Sequence, residues 1–555
     1  MKKQGIGWMF MLSGGNEVVR KRVDLGDRFK EDKLCYDDGK RMIVLDGVIL
    51  NKAELFEKYG VSALKDLFFL LLEQDEFTFF KEFIGPFNGV YRNKETGVLL
   101  VWGNQTGDSA PFYYAGADGT VVVSNNFNLI YEELRRNKLP YSFSECAARQ
   151  LLSFGYMADD STFLNEVKRV GAGKCLYVDG DGMAVKEWHR FVYHVKADME
   201  MEEAVELLDR SFRKAVKRCF DKDAEYGYEY HLVDLSGGLD SRMTTWVAHA
   251  MGYRNVVNIC YAQSGSADCR YAGEVACFLG NQFYAKYLDE ASFVQDVEEV
   301  TEKNFGMAYY AGITGGNQFL KLLDFDVLGL EHTGQLGDVF VGDSYFRAVR
   351  CGGADINRIK YSNKISCGDI DVARYGDYEL MALYLRGFQG ILSTHYIRSH
   401  YTYAVSPFID PEFIEICFSI PKCLRRGNRL YWAWINKKYP MAGRIRSTRK
   451  QESRFIMVPF CLKMIRWAQG SLRRMLRVAG CSRWGHNKRD MNPFEYWYAT
   501  NSGMRDFVRT YYEEHIHLLN GYERLQADLA VLFKQGSVIE KLQVLTVLAA
   551  KKMYV

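Results

Sequence analysis

The stretch Leu235-Ser236-Gly237-Gly238-Leu239-Asp240-Ser241 constrains the fold of this chain more than any other. Before it, Tyr230-His231-Leu232-Val233-Asp234 is short and mostly apolar, as a buried parallel strand is. After it, Met243, Trp246, Val247, Ala250 and Met251 recur at helical spacing, so the loop ends a strand and opens a helix. The first amides of a helix lack intrahelical partners and sit at the positive end of its dipole, which stabilises phosphate oxygens there. Gly237 and Gly238 are expected to supply positive φ and close backbone approach, Ser236 and Ser241 hydroxyl donors, and Asp240 a hard oxygen ligand for Mg²⁺, with Leu235 and Leu239 completing the loop. The spacing is not the G-x-x-x-x-G-K-[ST] of loops that present a γ-phosphate for transfer. It resembles the loop of enzymes that cut ATP between the α and β phosphates and release pyrophosphate, so the chemistry implied is adenylylation. An ordinary Gly-Gly turn between strand and helix has the same local look, and the flanking sequence has to decide.

The flanks continue the pattern. Val256 to Tyr261 forms a second strand, on which Ile259 is expected to contact the nucleotide, and Asp268 to Gly280 forms a helix closed by a C-cap glycine. Strand, helix, strand, helix predicts a parallel doubly wound sheet. Phe325 to Leu330 leads into Thr333 to Gly342, a second glycine-bearing turn that places Gly334, Gln335 and Asp338 at the carboxyl edge, where such sheets bind ligands. Met201 to Phe220 reads as the helix that opens this domain, and from Tyr375 onward the pattern is mainly helical. The first half differs. Ile43 to Leu45, Val98 to Trp102, Phe112 to Tyr114, Val121 to Val123 and Cys175 to Val178 are strand-like, while Leu64 to Leu72 and Cys146 to Phe154 have helical spacing. The expectation is a layered α+β domain over residues 1–196, followed by an α/β domain with a helical C-terminal region over 197–555.

Composition excludes several classes. A length of 555 residues is too great for one core. With 48 % hydrophobic and 25 % charged residues the chain is not disordered, and no apolar run approaches the roughly 20 residues needed to span a bilayer. Lacking the apolar run of a signal peptide, it is expected in the cytoplasm. Its 13 cysteines include no C-x-x-C, which argues against a zinc site and leaves a tRNA-modifying relative with the same loop, which would use the basic stretch against phosphates, as the lesser alternative; no nucleic acid is expected as partner. Basic residues crowd the stretch from Lys437 to Arg489. Between Val458 and Gly480 they alternate with Cys461, Met464, Ile465, Ala468, Leu472, Met475, Leu476 and Ala479 at helical spacing, giving an amphipathic basic helix that packs on its own domain or, alternatively, makes peripheral contact with an anionic membrane.

Taken in order, these pieces resemble the asparagine synthetase family, two-domain enzymes with an N-terminal glutaminase-like domain and a C-terminal ATP-dependent synthetase domain. Leu45 to Leu55 is similar to that family's Asn-Gly-Glu-Ile-Tyr-Asn segment, and Phe83 to Gly89 and Gly107 to Tyr114 fall where its Gly-x-Phe and Pro-Leu-Tyr segments do. The 235–241 loop, the 268–280 helix, the 334–342 turn and Ser406-Pro407-Phe408-Ile409-Asp410 continue the match. The resemblance implies Ntn-hydrolase-like layered sheets in the first domain and an ATP-dependent, AMP-forming amide-bond ligase in the second. ATP and Mg²⁺ are its implied cofactors, Asp240 and Asp338 the metal ligands, and Lys450 the cation that stabilises the acyl-adenylate transition state. A homodimer is also expected.

Three departures alter what carries over. The family's glutaminase nucleophile is a cysteine at the mature N-terminus, whereas position 2 is Lys2, the nearest cysteine is Cys35, and Gly103-Asn104 replaces an Arg-Asp pair. Gln335 stands where the family has a glutamate, and Val339 where it has a second acid, so residue 335 cannot act as a base. Nitrogen would then come from free ammonia, a separate glutaminase, or an amine on the substrate, with a small-molecule or glycan-linked carboxylate as acyl partner. The alternative is a degenerate synthetase serving as a scaffold or regulatory subunit.

Overall fold

The structure is a computed structural model in which residues 6–13, 17–347, 355–368, 370–448 and 488–555 are described. The first half builds eleven strands: β1 (Gly7–Ser13), β2 (Glu17–Asp24), β3 (Leu34–Asp37), β4 (Arg41–Gly47), β5 (Phe87–Asn93), β6 (Leu99–Trp102), β7 (Phe112–Ala115), β8 (Val121–Ser124), β9 (Val167–Arg169), β10 (Lys174–Asp179) and β11 (Gly182–Glu187). They form two antiparallel sheets, ordered β2-β1-β8-β7-β9 and β11-β10-β6-β5-β4-β3. Trp8, Phe10 and Leu12 of one sheet meet Met42, Val44 and Val101 of the other, so the core lies between them. Alternate residues on the outer faces are apolar too. Ile43 and Leu45 pack under helices α1 (Lys52–Tyr59) and α2 (Leu64–Gln74), while Met9 and Met11 pack toward α3 (Phe127–Arg136) and α4 (Glu145–Phe154). A sheet covered on both faces gives uninterrupted apolar strands, which is why β1 and β4 lack a hydrophobic alternation despite their period of two.

Residues 188–200 form neither strand nor helix and lead into α5 (Met201–Glu225). The second sheet system is parallel throughout: β12 (Tyr230–Asp234), β13 (Val256–Ala262), β14 (Gln282–Tyr287), β15 (Leu328–His332) and β16 (Ala404–Val405), in the order β14-β13-β12-β15-β16. Crossovers through α6 (Asp240–Ala250) and α7 (Ala267–Leu279) connect the first three. Val233, Val256 and Leu330 face the core that holds α5 and α6. Leu232, Val257 and Leu328 face a second core that takes in α3, α4 and the last helix, Val538–Tyr554. That helix starts with a reciprocal cap between Ser537 and Glu540, and its Tyr554 hydroxyl donates to Asn128 Oδ1 on α3 at 2.8 Å. The α+β and α/β architecture matches the expectation from the sequence. The two halves are also locked by buried charge: Arg218 of α5 donates to Glu54 and to Asp410, and Lys222 pairs with Asp32.

Lys450 and the expected amphipathic helix between Val458 and Gly480 lie outside the described residues. Among the described residues no helix is long and apolar enough to cross a membrane.

Candidate active site

β13 and β15 flank β12 on opposite sides, so strand order reverses at β12 and the loops after β12 and β15 open side by side at the carboxyl edge. Space explains the glycines of the second turn. A Cβ on Gly334 would stand 2.2 Å from the Ser241 amide nitrogen, and one on Gly337 2.8 Å from Asp240 Cβ, so this turn rests directly on the start of α6. The left-handed position between them belongs to Leu336, at φ 67°. In the first loop neither Gly237 nor Gly238 has positive φ, which corrects the sequence expectation. Gly237 is needed for closeness, because its Cβ would lie 2.8 Å from Asp268 Cα, while a Cβ on Gly238 would meet only Ser236 Oγ at 3.4 Å, leaving that stretch of backbone open.

The serines hold the loop's shape. Ser241 Oγ accepts the Ser236 amide at 3.0 Å and lies 3.1 Å from Ser236 Oγ, which in turn accepts the Gly238 amide at 3.3 Å. The side chains of Leu235, Leu239 and Ile259 are buried in the hydrophobic cores, so any contact these residues make with a nucleotide is through their backbone. What Ile259 gives the loop is its carbonyl, which accepts the Leu235 amide at 2.8 Å. Asp268 lies against Gly237, and burial raises its pKa although the Gly237 amide bonds to it.

Asp240 and Asp338 are half-buried on the two adjoining turns. Asp240 Oδ1 accepts the Tyr431 hydroxyl at 2.8 Å, and Asp338 accepts from the Ser344 hydroxyl. Two hard carboxylates fit Mg²⁺, which commonly takes one or two such ligands and completes its shell with water and phosphate oxygens. Arg242 of α6, fully buried and lowered to about 10 by desolvation, donates to the carbonyls of Ala442, Ile445 and Arg446. It thereby fixes the segment that brings Thr448 to the loop, where the Thr448 amide donates to Gly237 O at 2.9 Å.

Gln335 sits in a buried polar chain that sequence reasoning missed. Its Nε2 donates to Thr394 Oγ1 at 3.0 Å, its Oε1 lies 2.6 Å from His395 Nε2, and its carbonyl accepts the Ser406 hydroxyl at 3.0 Å. His395 Nδ1 lies 2.8 Å from Asp108 Oδ2, on the loop before β7. Burial pushes the Asp108 pKa up, but the hydrogen bond and charge of His395, with donors from Asn104 and Thr106, hold it below the usual carboxylate range. Thr394 also accepts from Arg398 Nη1 at 2.8 Å, and Arg398 bridges Glu331 (2.8 Å) and Asp234 (3.1 Å). Desolvation, then the charge of Glu331, lifts the Asp234 carboxyl well above its ordinary value. His395 and Arg398 share the short helix Thr394–Arg398, while Asp108, Asp234 and Glu331 come from elsewhere in the chain, and no local spacing links them to it. Gln335 and Asp234 border a cavity of about 420 Å³ that also reaches Tyr156 of the first half.

Fold and site together define a parallel sheet whose Ser236–Ser241 loop opens at its switch point, joined to layered antiparallel sheets. Residues 207–309 match the family model described as asparagine synthase. No curated protein sequence matches the chain. Among solved structures, the chain is similar to the allosteric regulatory enzyme of purine biosynthesis, with 11% identity over 51% of this chain and 75% of that one and a TM-score of 0.23. It is also similar to a glutamine-dependent NAD⁺ synthetase from Acinetobacter baumannii in complex with ADP, with 20% identity over 30% of this chain and 31% of that one and a TM-score of 0.18. An NH3-dependent NAD synthetase from Campylobacter jejuni gives 13% identity over 45% of this chain and all of that one, with a TM-score of 0.18. Likenesses of this size are resemblances and nothing more.

Proposed function

We propose that the protein is an ATP-dependent, AMP-forming amide-bond ligase that adenylylates a carboxylate and passes the acyl group to ammonia or an amine, without glutaminase activity of its own. One observation carries this reading: the Ser236–Ser241 loop and the Gly334–Asp338 turn close on each other at the switch point of a parallel sheet, with Asp240 and Asp338 on the two facing turns. The open backbone at Gly238 and the first amides of α6 would hold the pyrophosphate portion of ATP. Asp240 and Asp338 would hold Mg²⁺, which when bound neutralises phosphate charge. Lys450 would face the charge that develops on the α-phosphate and on the tetrahedral intermediate. Gln335, unable to accept a proton, would orient rather than activate the nucleophile.

The expected lack of glutaminase activity is supported by Gly103-Asn104, which replaces the family's Arg-Asp pair, and by the placement of Cys35, an exposed residue of edge strand β3. The test is ATP–pyrophosphate exchange with a panel of carboxylic acids. Acid-dependent exchange is expected; no exchange with any acid, together with no ATP binding, would make the scaffold reading the better one.

A further inference from the structure

The cavity beside Gln335 is lined by polar groups that the protein leaves without partners. Tyr156 is 3 % exposed, yet its buried hydroxyl has no hydrogen bond among the described residues. Asp234 Oδ1 is likewise buried and unpartnered, while Oδ2 is held by Arg398. Such groups are costly to leave unmade, and a native site that keeps several of them around one space is built to have them satisfied by a ligand.

Arg386 supplies the opposite charge. It lies on the cavity wall with its guanidinium 5.8 Å from the centre of the Tyr361 ring, and no described acid pairs with it. The residues that carry it, Leu383–Gly390, are wound as a π-helix, a rare conformation frequent at functional sites. The end of this widened helix packs tightly: a Cβ on Gly390 would meet the Tyr156 ring at 2.8 Å. Tyr309 stands 6.0 Å from Tyr361, ring to ring, so the walls between the two charged ends are aromatic.

The acidic end carries an excess of carboxylate, because Asp234 and Glu331 share the single guanidinium of Arg398. Desolvation and the neighbouring Glu331 raise the Asp234 carboxyl above its ordinary value.

We propose that this cavity binds a bipolar amine, its amino group at Asp234 beside Gln335 and its anionic group at Arg386, with an apolar or ring-bearing spacer between Tyr156, Tyr309 and Tyr361. Resting on the proposed ligase reading, this names the nitrogen donor as an amino acid-like molecule and not free ammonia. The amine lies toward the carboxyl edge where the loop is, and the anionic end points away from it toward the π-helix.

The test is calorimetric titration of the full chain, without ATP, using 4-(aminomethyl)benzoate, benzylamine and 4-methylbenzoate. The bipolar probe is expected to bind at least about tenfold more tightly than either single-ended probe. Arg386→Gln should reduce it to the affinity of benzylamine, and Asp234→Asn to that of 4-methylbenzoate. Arg386 is half-buried and unpaired by any described acid, so its variant should fold and decides the matter even if the Asp234 variant does not. Equal affinity for all three probes, no binding of the bipolar probe, or an advantage that survives Arg386→Gln would overturn the proposal. Measured in parallel, ATP–pyrophosphate exchange keeps the two readings apart: exchange without bipolar preference sinks this inference alone, and bipolar preference without exchange sinks the ligase alone.

Discussion

His395 presents Nε2 to Gln335 Oε1 at 2.6 Å and Nδ1 to Asp108 Oδ2 at 2.8 Å, so one imidazole ties the turn after β15 to the loop before β7. The link is buried, with Asp108 5 % and His395 5 % exposed. His395→Ala should therefore strand a buried carboxylate and cost about 3 kcal/mol in chemical denaturation. His395→Gln, able to donate to one side, should recover part of that loss. A loss under about 1 kcal/mol in the alanine variant would show that Asp108 does not depend on this contact.

The same pair sets a sign for pH. The folded-state pKa of Asp108 is lowered, chiefly by the His395 hydrogen bond and charge working against desolvation. Its contribution to stability is thus fully present above the unfolded carboxylate pKa, near 3.9, and is lost as pH falls through the lower folded value. Asp108→Asn should flatten this acid limb in denaturation midpoints measured between about pH 5 and pH 2. An unchanged limb would assign it to other carboxylates.

Asp240→Ala should abolish ATP–pyrophosphate exchange while leaving the fold intact, since the side chain is half-buried and fills no core. Tyr431→Phe removes the 2.8 Å bond to Asp240 Oδ1 and should lower exchange about tenfold, the effect of one hydrogen bond to a charged group. Exchange retained in Asp240→Ala would remove this residue from the reaction.

Two alanine substitutions separate architecture from chemistry. Gly334→Ala drives a Cβ to within 2.2 Å of the Ser241 amide and should destabilise the protein by about 2–3 kcal/mol. Gly238→Ala meets only Ser236 Oγ at 3.4 Å and has no left-handed φ to strain, so its thermal midpoint should hardly move. Its exchange activity should nonetheless fall, because the methyl group occupies the open face offered to phosphate. If Gly238→Ala keeps full activity, phosphate binds elsewhere.

Lys450→Ala should leave ATP affinity near its original value and slow the reaction roughly 10²- to 10³-fold, the size of one lost transition-state contact. Equilibrium ATP binding beside single-turnover rates would check it, and equal losses in both would mark Lys450 as a ground-state binder.

The loop and its sheet were legible because their determinants are local: an apolar run, two glycines, two serines and a helical spacing lie within one short stretch. The role given to the glycines was wrong in part, since crowding by Asp268 against Gly237 depends on a helix more than 20 residues further on, which φ preferences do not encode. The polar chain from Asp108 through His395 and Gln335 to Arg398 and Asp234 was illegible for the same reason. Its members stand on four segments, His395 and Arg398 sharing the helix Thr394–Arg398, and they meet only in the tertiary fold. Arg386 likewise looks like one basic residue among many until the π-helix places it on a cavity wall.

The helix Val538–Tyr554 covers α3 and α4 and completes the core beneath the five-stranded sheet, to which Met9 and Met11 contribute. On the ribosome this surface waits. The first strands emerge long before the segment that shields them, so their outer apolar face stays exposed until that helix has been made. Folding of the amino-terminal layers is thereby tied to a helix made long after them. Premature termination ahead of Val538 should yield a product that chaperones retain and proteases clear, even though every residue of the nucleotide loop has been translated.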